Sequence, residues 1–286
     1  MDQLGESKMK QYIDLCNRIL NEGVLVTNKR TNEKCLTVID ASMEYDCTDS
    51  KLPILTTKKV AWKVAIAEML GYLRGYTSAA QFRNIGCNTW NANANKTKAW
   101  LNNPNRKGKD DMGKVYGAVA RDFGGIDLVT EAYLKIKARN DDRDITITFY
   151  KPDEFSKGCL RPCMHTHTFS ILDDTLYLTS YQRSVDVALG LPFNMVQSSW
   201  LLLLMADLTN LKPGKVFHKM VNVHIYEKHI EAIKEQIKRE PKESPKLIIN
   251  PALINLERVL EYMIVELDND VVGYNPHPAI KYEFTP

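Results

Sequence analysis

The sequence has no long hydrophobic run, no disulfide-type cysteine spacing and no large excess of one charge. Its longest apolar stretch, Trp200 to Ala206, is far too short to span a membrane. The six cysteines are scattered without a framework spacing, which argues against a disulfide-stapled secreted domain and favours a reduced, cytoplasmic protein. A formal net charge of +3 is too weak to indicate binding to nucleic acid or a membrane surface. The polar N-terminal residues contain no signal-peptide core.

Apolar and charged residues occur in the proportions of an ordinary globular protein. At 286 residues, with 44% hydrophobic content, the chain can bury a core without disulfides or metal. Because no linker-like segment divides it, we expect one mixed α/β domain over residues 1–286. Periodicity predicts helices over 9–20, 61–74, 126–138, 201–211, 226–237 and 256–264. Alternation predicts strands over 35–45, 145–150, 165–169, 176–181, 216–224 and 247–249.

Two runs on either side of one predicted hairpin carry most of the chemistry. The first is Arg161-Pro162-Cys163, which places a thiol at the start of a strand. The second, Tyr181 to Asn194, contains a guanidinium, a hydroxyl, a carboxylate and an amide. This combination is typical of a nucleophile followed by an anion-binding group and a group that reads a base.

A metal site built from Cys159, Cys163, His165 and His167 is disfavoured by strand geometry. Alternation places residues 163, 165 and 167 on one face of the predicted strand. Neighbours on one strand face are roughly 6.6 Å apart. This spacing is too wide for consecutive tetrahedral ligands with bonds of about 2.0–2.3 Å. We therefore expect no metal.

The thiol and the amide together indicate chemistry on a pyrimidine nucleotide. Arg183 and Arg161 are cations close in sequence to Cys163, and cations favour the nucleophilic thiolate. Arginines and the Ser184 hydroxyl suit a phosphate. Asn194 can accept from N3–H and donate to O4, so it suits uracil provided that its neighbours fix the amide. Attack on C6 makes C5 able to capture a one-carbon electrophile.

Four further residues have both a functional and a purely structural interpretation. Glu68, among apolar residues of a predicted helix, is either a solvated carboxylate or a buried one with a raised pKa. Trp90, within an asparagine-rich stretch at 86–113 that we expect to form turns, either stacks on a flat ligand or anchors the loop. Tyr116, flanked by glycines, either projects into a pocket or is an ordinary turn residue. Arg30 is either a solvated charge or part of an anion site.

Motifs in one order along nearly the whole chain resemble those of the thymidylate synthase family. They are Arg30-Thr31, Thr56-Thr57-Lys58-Lys59, Ala67-Glu68, Gly75, Trp90, Val115-Tyr116-Gly117, Arg143, Arg161-Pro162-Cys163, Tyr181 to Val187, Gly190-Leu191-Pro192-Phe193-Asn194, His224-Ile225-Tyr226, Arg239-Glu240-Pro241 and His277 to Lys281. The resemblance implies a three-layer α/β domain around a large twisted mixed sheet. It also implies a homodimer that joins its sheets back to back and converts dUMP to dTMP with 5,10-methylenetetrahydrofolate.

The same resemblance implies a role for each matching residue. Cys163 would be the nucleophile, Glu68 would organise proton transfer and Tyr116 would assist deprotonation at C5. Asn194, helped by Asp186, would read the base. The ligand-binding residues would be Arg30, Arg183 and Ser184 for the phosphate, with Arg143 from the other subunit; His224 and Tyr226 for the sugar; and Trp90, with Asp186, for the folate. The C-terminal segment would close over the site.

The chain departs from the family pattern in four places. Asp144 follows Arg143 where many relatives have a second arginine, Met164 follows the nucleophile in place of histidine, and asparagines and alanines follow Trp90. The chain ends Phe284-Thr285-Pro286 instead of on a small aliphatic residue. Since a poorly closed site would admit water, a dUMP hydroxymethylase is an alternative. A dCMP hydroxymethylase is disfavoured by Asn194, because an aspartate is expected there.

Two function classes outside the family remain as alternatives. A cysteine hydrolase would pair Cys163 with His165 or His224, but same-face strand neighbours lie too far apart for a direct hydrogen bond. A non-catalytic nucleotide- or RNA-binding protein would use the same phosphate-binding surface. Nucleic acid is not required for the enzyme that the resemblance implies.

Overall fold

The computed structural model describes residues 9–29, 32–261 and 270–283. Arg30 and the last three residues, Phe284 to Pro286, lie outside the described residues. Within the described ranges, no helix is long and apolar enough to cross a membrane.

Ten α-helices and eight β-strands are described. The helices are α1 (Met9–Glu22), α2 (Trp62–Leu73), α3 (Ala79–Asn84), α4 (Asn91–Lys96), α5 (Lys98–Leu101), α6 (Gly117–Ala120), α7 (Leu128–Lys137), α8 (Gly190–Leu208), α9 (Ile230–Gln236) and α10 (Leu256–Glu261). The strands are β1 (Val24–Thr27), β2 (Lys34–Asp46), β3 (Thr146–Thr148), β4 (Met164–Leu172), β5 (Thr175–Asp186), β6 (Lys212–Tyr226), β7 (Lys246–Ile248) and β8 (Asp270–Val272).

Six strands form one mixed sheet in the order β1-β2-β6-β5-β4-β3. The pair β5 and β6 is parallel and is connected through α8, whereas the other neighbouring pairs are antiparallel. Helix α8 packs on β5 and β6, and α2 packs on α8. The sheet, α8 and α2 therefore form successive layers, as expected from a mixed α/β fold.

Helix α8 begins earlier than its sequence indicates. We expected a helix from 201 to 211, but it runs from Gly190 to Leu208. The helix is buried on nearly all sides by the sheet and α2, so apolar residues lie on every face of it. No alternation of apolar and polar residues therefore marks where it starts. Pro213 and Gly214 do follow the helix, but they lie inside β6 instead of in a turn. The early start places Asn194 in the first turns of α8.

The asparagine-rich stretch also differs from expectation, since α4 and α5 lie within it. The Asn91 Oδ1 atom accepts a hydrogen bond from Arg83 Nη1 at 2.7 Å. The Asn95 side chain donates to Asp110 Oδ1 at 2.8 Å and accepts from the Asp110 amide at 2.9 Å. Most of these bonds reach neighbouring segments, and the Asn95 amide also donates to the Asn91 carbonyl within α4 at 3.2 Å, so the asparagines support the short helix instead of opening it into turns.

The predicted alternation at the start of β4 is wrong. The pairing with β5 shifts register between Met164 and Thr166. Met164 and His167, three residues apart, are both buried, while His165 and Thr166 between them are partly exposed. The bulge explains why residues 163, 165 and 167 do not share one face. Strict alternation resumes only after this point.

Two histidines of the sheet, His167 and His218, are completely buried and should make the fold acid-sensitive. Burial lowers the pKa of His167 and of His218 from 6.5 to about 3. The unfolded chain therefore binds more protons below pH 6.5, and stability falls as the pH falls. Urea unfolding should show roughly 3–4 kcal/mol less stability at pH 5 than at pH 7, somewhat offset by protonation of Glu68, whose pKa burial raises.

The variant His167→Asn tests this assignment, because it leaves only one of the two completely buried imidazoles of the sheet. Its pH-dependent loss of stability between pH 7 and pH 5 should be smaller than that of the unaltered chain by roughly 2 kcal/mol, the share of one imidazole. An undiminished loss between pH 7 and pH 5 would show that other groups cause the acid sensitivity.

Candidate active site

Cys163 lies immediately before β4, beside the guanidinium of Arg183 on β5. Its Sγ atom is 3.8 Å from Arg183 Nη2. The guanidinium is itself held in place, since its Nε donates to the carbonyl of Pro162 at 2.8 Å and its Nη2 to that of Arg161 at 3.0 Å. A fixed cation next to sulfur favours the thiolate form. Cys163 therefore has the charged, partly exposed surroundings that a nucleophilic thiol requires.

The other five cysteines lack this environment. All of them are buried, whereas Cys163 is partly exposed. Burial raises the pKa of Cys16, Cys87 and Cys159 to about 12 and that of Cys35 to about 11. These thiols stay protonated at neutral pH, so exposure and charge both single out Cys163.

Tyr116 is packed against the backbone of the nucleophile. Its Oη accepts a hydrogen bond from the Cys163 amide at 3.0 Å. The residue has φ of +44°, and its ring stacks on Tyr72 with centroids 4.5 Å apart. Burial raises its pKa well above the ordinary value, and the nearby Cys163 sulfur acts in the same direction. The phenol is thus a neutral group held beside Cys163.

Glu68 on α2 is a carboxylate held in a protein interior. Thr89 Oγ1 donates a short hydrogen bond to its Oε1, and Gln197 Nε2 donates to its Oε2 at 2.7 Å. Burial raises the pKa of this carboxyl, and the bonds from Thr89 and Gln197 partly oppose that rise. Glu68 is therefore not a carboxylate in open water, and a raised pKa is a property that general acid–base groups share. Its role in proton transfer stays a prediction.

The Asn194 side chain is held between two glutamines. Its Oδ1 accepts from Gln182 Nε2 at 2.9 Å, and its Nδ2 donates to Gln197 Oε1 at 3.0 Å. The Gln182 amide also donates to the Ser184 carbonyl at 3.0 Å. These neighbours fix the amide orientation, which is the condition that base reading requires. Each amide atom keeps one further donor or acceptor for a ligand.

Asp186 lies at the end of β5, opposite His224 on β6. The Asp186 carboxylate accepts from the Ala188 amide at 2.9 Å, and the His224 ring is 5.4 Å from that of Tyr226. A Cβ atom added at Gly190 would lie 3.8 Å from Asp186 and 3.9 Å from the Asn194 oxygen. The structure therefore brings Asp186, His224 and Tyr226 into one group that adjoins Asn194.

Trp90 is only 3% exposed. Its ring centroid lies 5.6 Å from that of Tyr116 and 6.2 Å from that of Tyr72, both edge to face. The indole also lies beside the Glu68 carboxyl. These contacts show that Trp90 anchors its loop, and they leave little of its surface for contact with a ligand.

Arg143 lies far from Cys163 of its own chain. It is exposed, and its loop is pinned where the Asp141 carboxylate accepts from the amides of Arg143 and Ile171. Ile171 is eight residues along the strand from Cys163, which corresponds to roughly 26 Å. The neighbouring Asp144 pairs with Lys135 at 2.7 Å, so a lysine offsets its charge. Arg143 therefore does not join this site within one chain.

The C-terminal segment docks beside the same group of residues. The Tyr282 hydroxyl donates to Gln236 at 2.6 Å, and His229 Nε2 lies 2.8 Å from the Glu283 carbonyl. Lys58 Nζ lies 4.2 Å from the Tyr282 ring centroid and donates to the carbonyl of Ala188. Burial lowers the pKa of Lys58 to about 8. The described tail thus reaches the edge of the site.

Three residues that contact the site carry no signal in the sequence: Thr89, Gln182 and Gln197. Gln182 lies within the run Tyr181 to Asn194 but has no reactive group. Gln197 is a polar residue three positions after Asn194, a spacing that brings side chains together on a helix. This spacing has meaning only if residues 194 and 197 are both helical, and the predicted helix began only at residue 201.

The histidines near Cys163 are engaged elsewhere. His165 Nδ1 lies 2.8 Å from the Thr166 hydroxyl, and His224 Nδ1 lies 2.9 Å from Asn222 Oδ1. Neither contact joins a histidine to the thiol as a hydrolase would need. Among the residues that the structure describes, no group of three or more His, Cys, Asp or Glu is arranged to hold a metal ion.

The chain is similar to known proteins over almost its full length. The pattern that defines the family described as "Thymidylate synthase" matches residues 10–285. A thymidylate synthase of Idiomarina loihiensis is 56% identical over 282 residues, covering 96% of this chain and 99% of that protein. Those of Shewanella halifaxensis and Pseudoalteromonas translucida are 56% and 54% identical, each covering 97% of this chain and 100% of the relative.

Proposed function

The chain belongs to the thymidylate synthase family, and from this premise we propose that it converts dUMP to dTMP with 5,10-methylenetetrahydrofolate. The observation that carries the proposal is the partly exposed Cys163 thiol 3.8 Å from the fixed Arg183 guanidinium. The thiolate adds to C6 of the uracil, and C5 then bonds to the one-carbon unit. Loss of the C5 proton and of tetrahydrofolate leaves a methylene group on C5. Hydride from the tetrahydrofolate then gives the methyl group and dihydrofolate, and the Cys163 thiolate leaves C6 as the C5=C6 bond is restored.

The orientation of Asn194 supports uracil as the base. Its oxygen retains a lone pair for N3–H, and its nitrogen retains a hydrogen for O4. Arg183 and Ser184, which are adjacent on β5, are assigned to the phosphate, together with Arg30. His224 and Tyr226, on β6, are assigned to the sugar hydroxyl.

Proton transfer is assigned to Glu68 and Tyr116. Glu68 is a buried carboxylate with a raised pKa, and Tyr116 holds the nucleophile's amide. Both Glu68 and Tyr116 lie beside Trp90. We assign Trp90 and Asp186 to binding of the folate. The docked tail around Tyr282 supports closure of the site, which keeps water from the intermediate.

We assign the working form to a homodimer that joins its sheets back to back. The sheet face away from α8 exposes apolar side chains: Ile39 is 62% exposed, Val221 57% and Tyr181 42%. Exposed apolar patches on a sheet indicate an interface. Arg183 is two residues after Tyr181 on β5, so such an interface would lie close to the residues assigned to the phosphate. The six cysteines, none in a disulfide, favour a cytoplasmic location.

Arg143 should act in the partner's site, because it lies far from Cys163 of its own chain. A dimer of one Arg143→Ala chain and one Cys163→Ser chain has one complete site of two. Random mixing gives heterodimers in about half of all dimers, so mixtures should recover about a quarter of the unaltered activity. Each variant alone should be far less active.

Turnover measured after subunit exchange checks this prediction. Heterodimers carrying two different tags, purified on both, remove the homodimer background. Purified heterodimers with no more activity than the parent variants would place phosphate binding within one chain.

The activity itself is tested by incubating the protein with dUMP and 5,10-methylenetetrahydrofolate and following dihydrofolate by absorbance. We expect one dihydrofolate for each dUMP consumed, and no dihydrofolate when dUMP is omitted. Consumption of dUMP without dihydrofolate would contradict reductive methylation.

A further inference from the structure

Gln197 on α8 joins the pyrimidine-reading amide to the buried carboxylate. Its side chain is 1% exposed and contacts both groups at once. Its Oε1 accepts from Asn194 Nδ2 at 3.0 Å, and its Nε2 donates to Glu68 Oε2 at 2.7 Å. No water need intervene between the group that reads the base and the group that moves protons.

We propose that Gln197 is a positioning residue that couples the orientation of the Asn194 amide to the ionised Glu68 carboxylate. This inference rests on the proposed function. An ionised carboxylate can only accept hydrogen bonds, so Glu68 requires the N–H side of the Gln197 amide. The Gln197 carbonyl must then face Asn194 and select its N–H side. Charge on Glu68 therefore sets which edge Asn194 presents to the base.

A second chain of bonds fixes the opposite side of Asn194. Gln182 donates to the Ser184 carbonyl and to Asn194 Oδ1, so its own oxygen must accept from His218 Nε2, 2.8 Å away. His218 is neutral because burial lowers its pKa to about 3, so its Nδ1 accepts from the Tyr45 hydroxyl at 2.8 Å. Hydrogen bonds thus run in one direction from Tyr45 to Glu68.

Reversing the Asn194 amide would break both contacts. Its nitrogen would face the Gln182 nitrogen and its oxygen would face the Gln197 oxygen, which leaves buried groups without partners. The chain therefore holds the orientation that suits uracil and opposes the one that suits cytosine. Without Gln197, only the hydrogen bond from Gln182 to Asn194 Oδ1 would hold the amide in this orientation.

The other titratable groups around Glu68 are neutral near pH 7, so none of them places a second charge beside its carboxylate. Tyr72, Tyr116 and Cys87 are the titratable groups that interact with it, and burial raises the pKa of each. They remain neutral near pH 7, and Thr89 only donates. The bond from Gln197 lowers the pKa of Glu68. Losing that bond should raise this pKa further and move the acid limb of the rate profile upward.

Two substitutions separate the two contacts of Gln197. Gln197→Met keeps the length of the side chain and removes both hydrogen bonds. Gln197→Glu keeps an acceptor for Asn194 but replaces the donor to Glu68 by a second carboxyl group. Ser199→Ala, two positions along α8, is the control, because it removes a buried hydroxyl with no hydrogen-bond partner among the described residues.

Calorimetric binding of dUMP and dCMP and the pH profile of kcat measure the two effects. In Gln197→Met, the affinity ratio of dUMP over dCMP should fall about tenfold, and the acid limb should rise by about one pH unit. Gln197→Glu should keep the affinity ratio of dUMP over dCMP within about threefold of that of the unaltered protein. It should raise the acid limb of the kcat profile by at least one pH unit, roughly as in Gln197→Met or more, since two adjacent carboxyl groups do not readily ionise together. Ser199→Ala should change neither.

An unchanged ratio and limb in Gln197→Met would overturn the proposal. If that variant does not fold, Gln197→Glu decides alone: an unmoved acid limb, or loss of the dUMP preference, would overturn it. The binding ratio requires no turnover. Failure of the unaltered protein to form dTMP would therefore reject the proposed function while the ratio still tests the link through Gln197.

Discussion

Replacing Cys163 by serine should lower turnover by roughly a thousandfold or more while dUMP binding remains within about threefold of its original strength. A serine hydroxyl is far less ionised than a thiol beside a guanidinium, so it cannot add to C6 at a useful rate. The groups assigned to phosphate, sugar and base are unaltered in this variant. Steady-state turnover and calorimetric dUMP binding measure the two effects separately.

Cys159→Ala is the matched control for this change. Cys159 is buried, four residues before the nucleophile, and burial raises its thiol pKa to about 12. Its loss should leave turnover close to that of the unaltered protein. Turnover near the unaltered rate in Cys163→Ser would remove the nucleophile assignment. Loss of dUMP binding in that variant would mean that the thiol holds the nucleotide instead of reacting with it.

Replacing Asn194 by aspartate should reverse the preference for dUMP over dCMP. An ionised carboxylate accepts but does not donate, so the contact with O4 of uracil is lost and N4–H of cytosine gains an acceptor. The ratio of kcat/KM for the two nucleotides should shift by roughly a hundredfold or more towards dCMP. Competition between the two nucleotides, with both products quantified, measures this ratio.

Asn194→Ala separates loss of contact from change of preference. Alanine removes both the donor and the acceptor, so binding should weaken for both nucleotides without a reversal. An unchanged preference in Asn194→Asp would show that another group reads the base, and the contacts through Gln182 and Gln197 would then serve stability alone.

Helices and strands can be predicted from the sequence wherever one face of the element is exposed to solvent and the other is buried. Helix α1 and strand β2 show clear periodicity, and both were predicted within a few residues. Helix α8 is enclosed on nearly all sides, so its first eleven residues show no period and its start was misplaced. The β4 bulge depends on pairing with β5, which no local pattern reports. The prediction of a single domain stays a prediction.

The site was only partly readable from the sequence, for a related reason. Cys163 and Arg183 lie in recognisable runs, and the structure places them in contact. Gln197 could not be found, because its contacts join α8 to α2 across the core. The roles of Arg30 and Arg143 stay predictions, since Arg30 lies outside the described residues and Arg143 is remote from Cys163 within its own chain.

The most direct test of the central claim is the mass of the nucleotide formed from dUMP and 5,10-methylenetetrahydrofolate. We predict dTMP, because a site closed by the tail around Tyr282 would keep water from the methylene intermediate until hydride reaches it. Hydroxymethyl-dUMP as the main product would contradict it. Water would then reach the intermediate first, and the chain would be a dUMP hydroxymethylase.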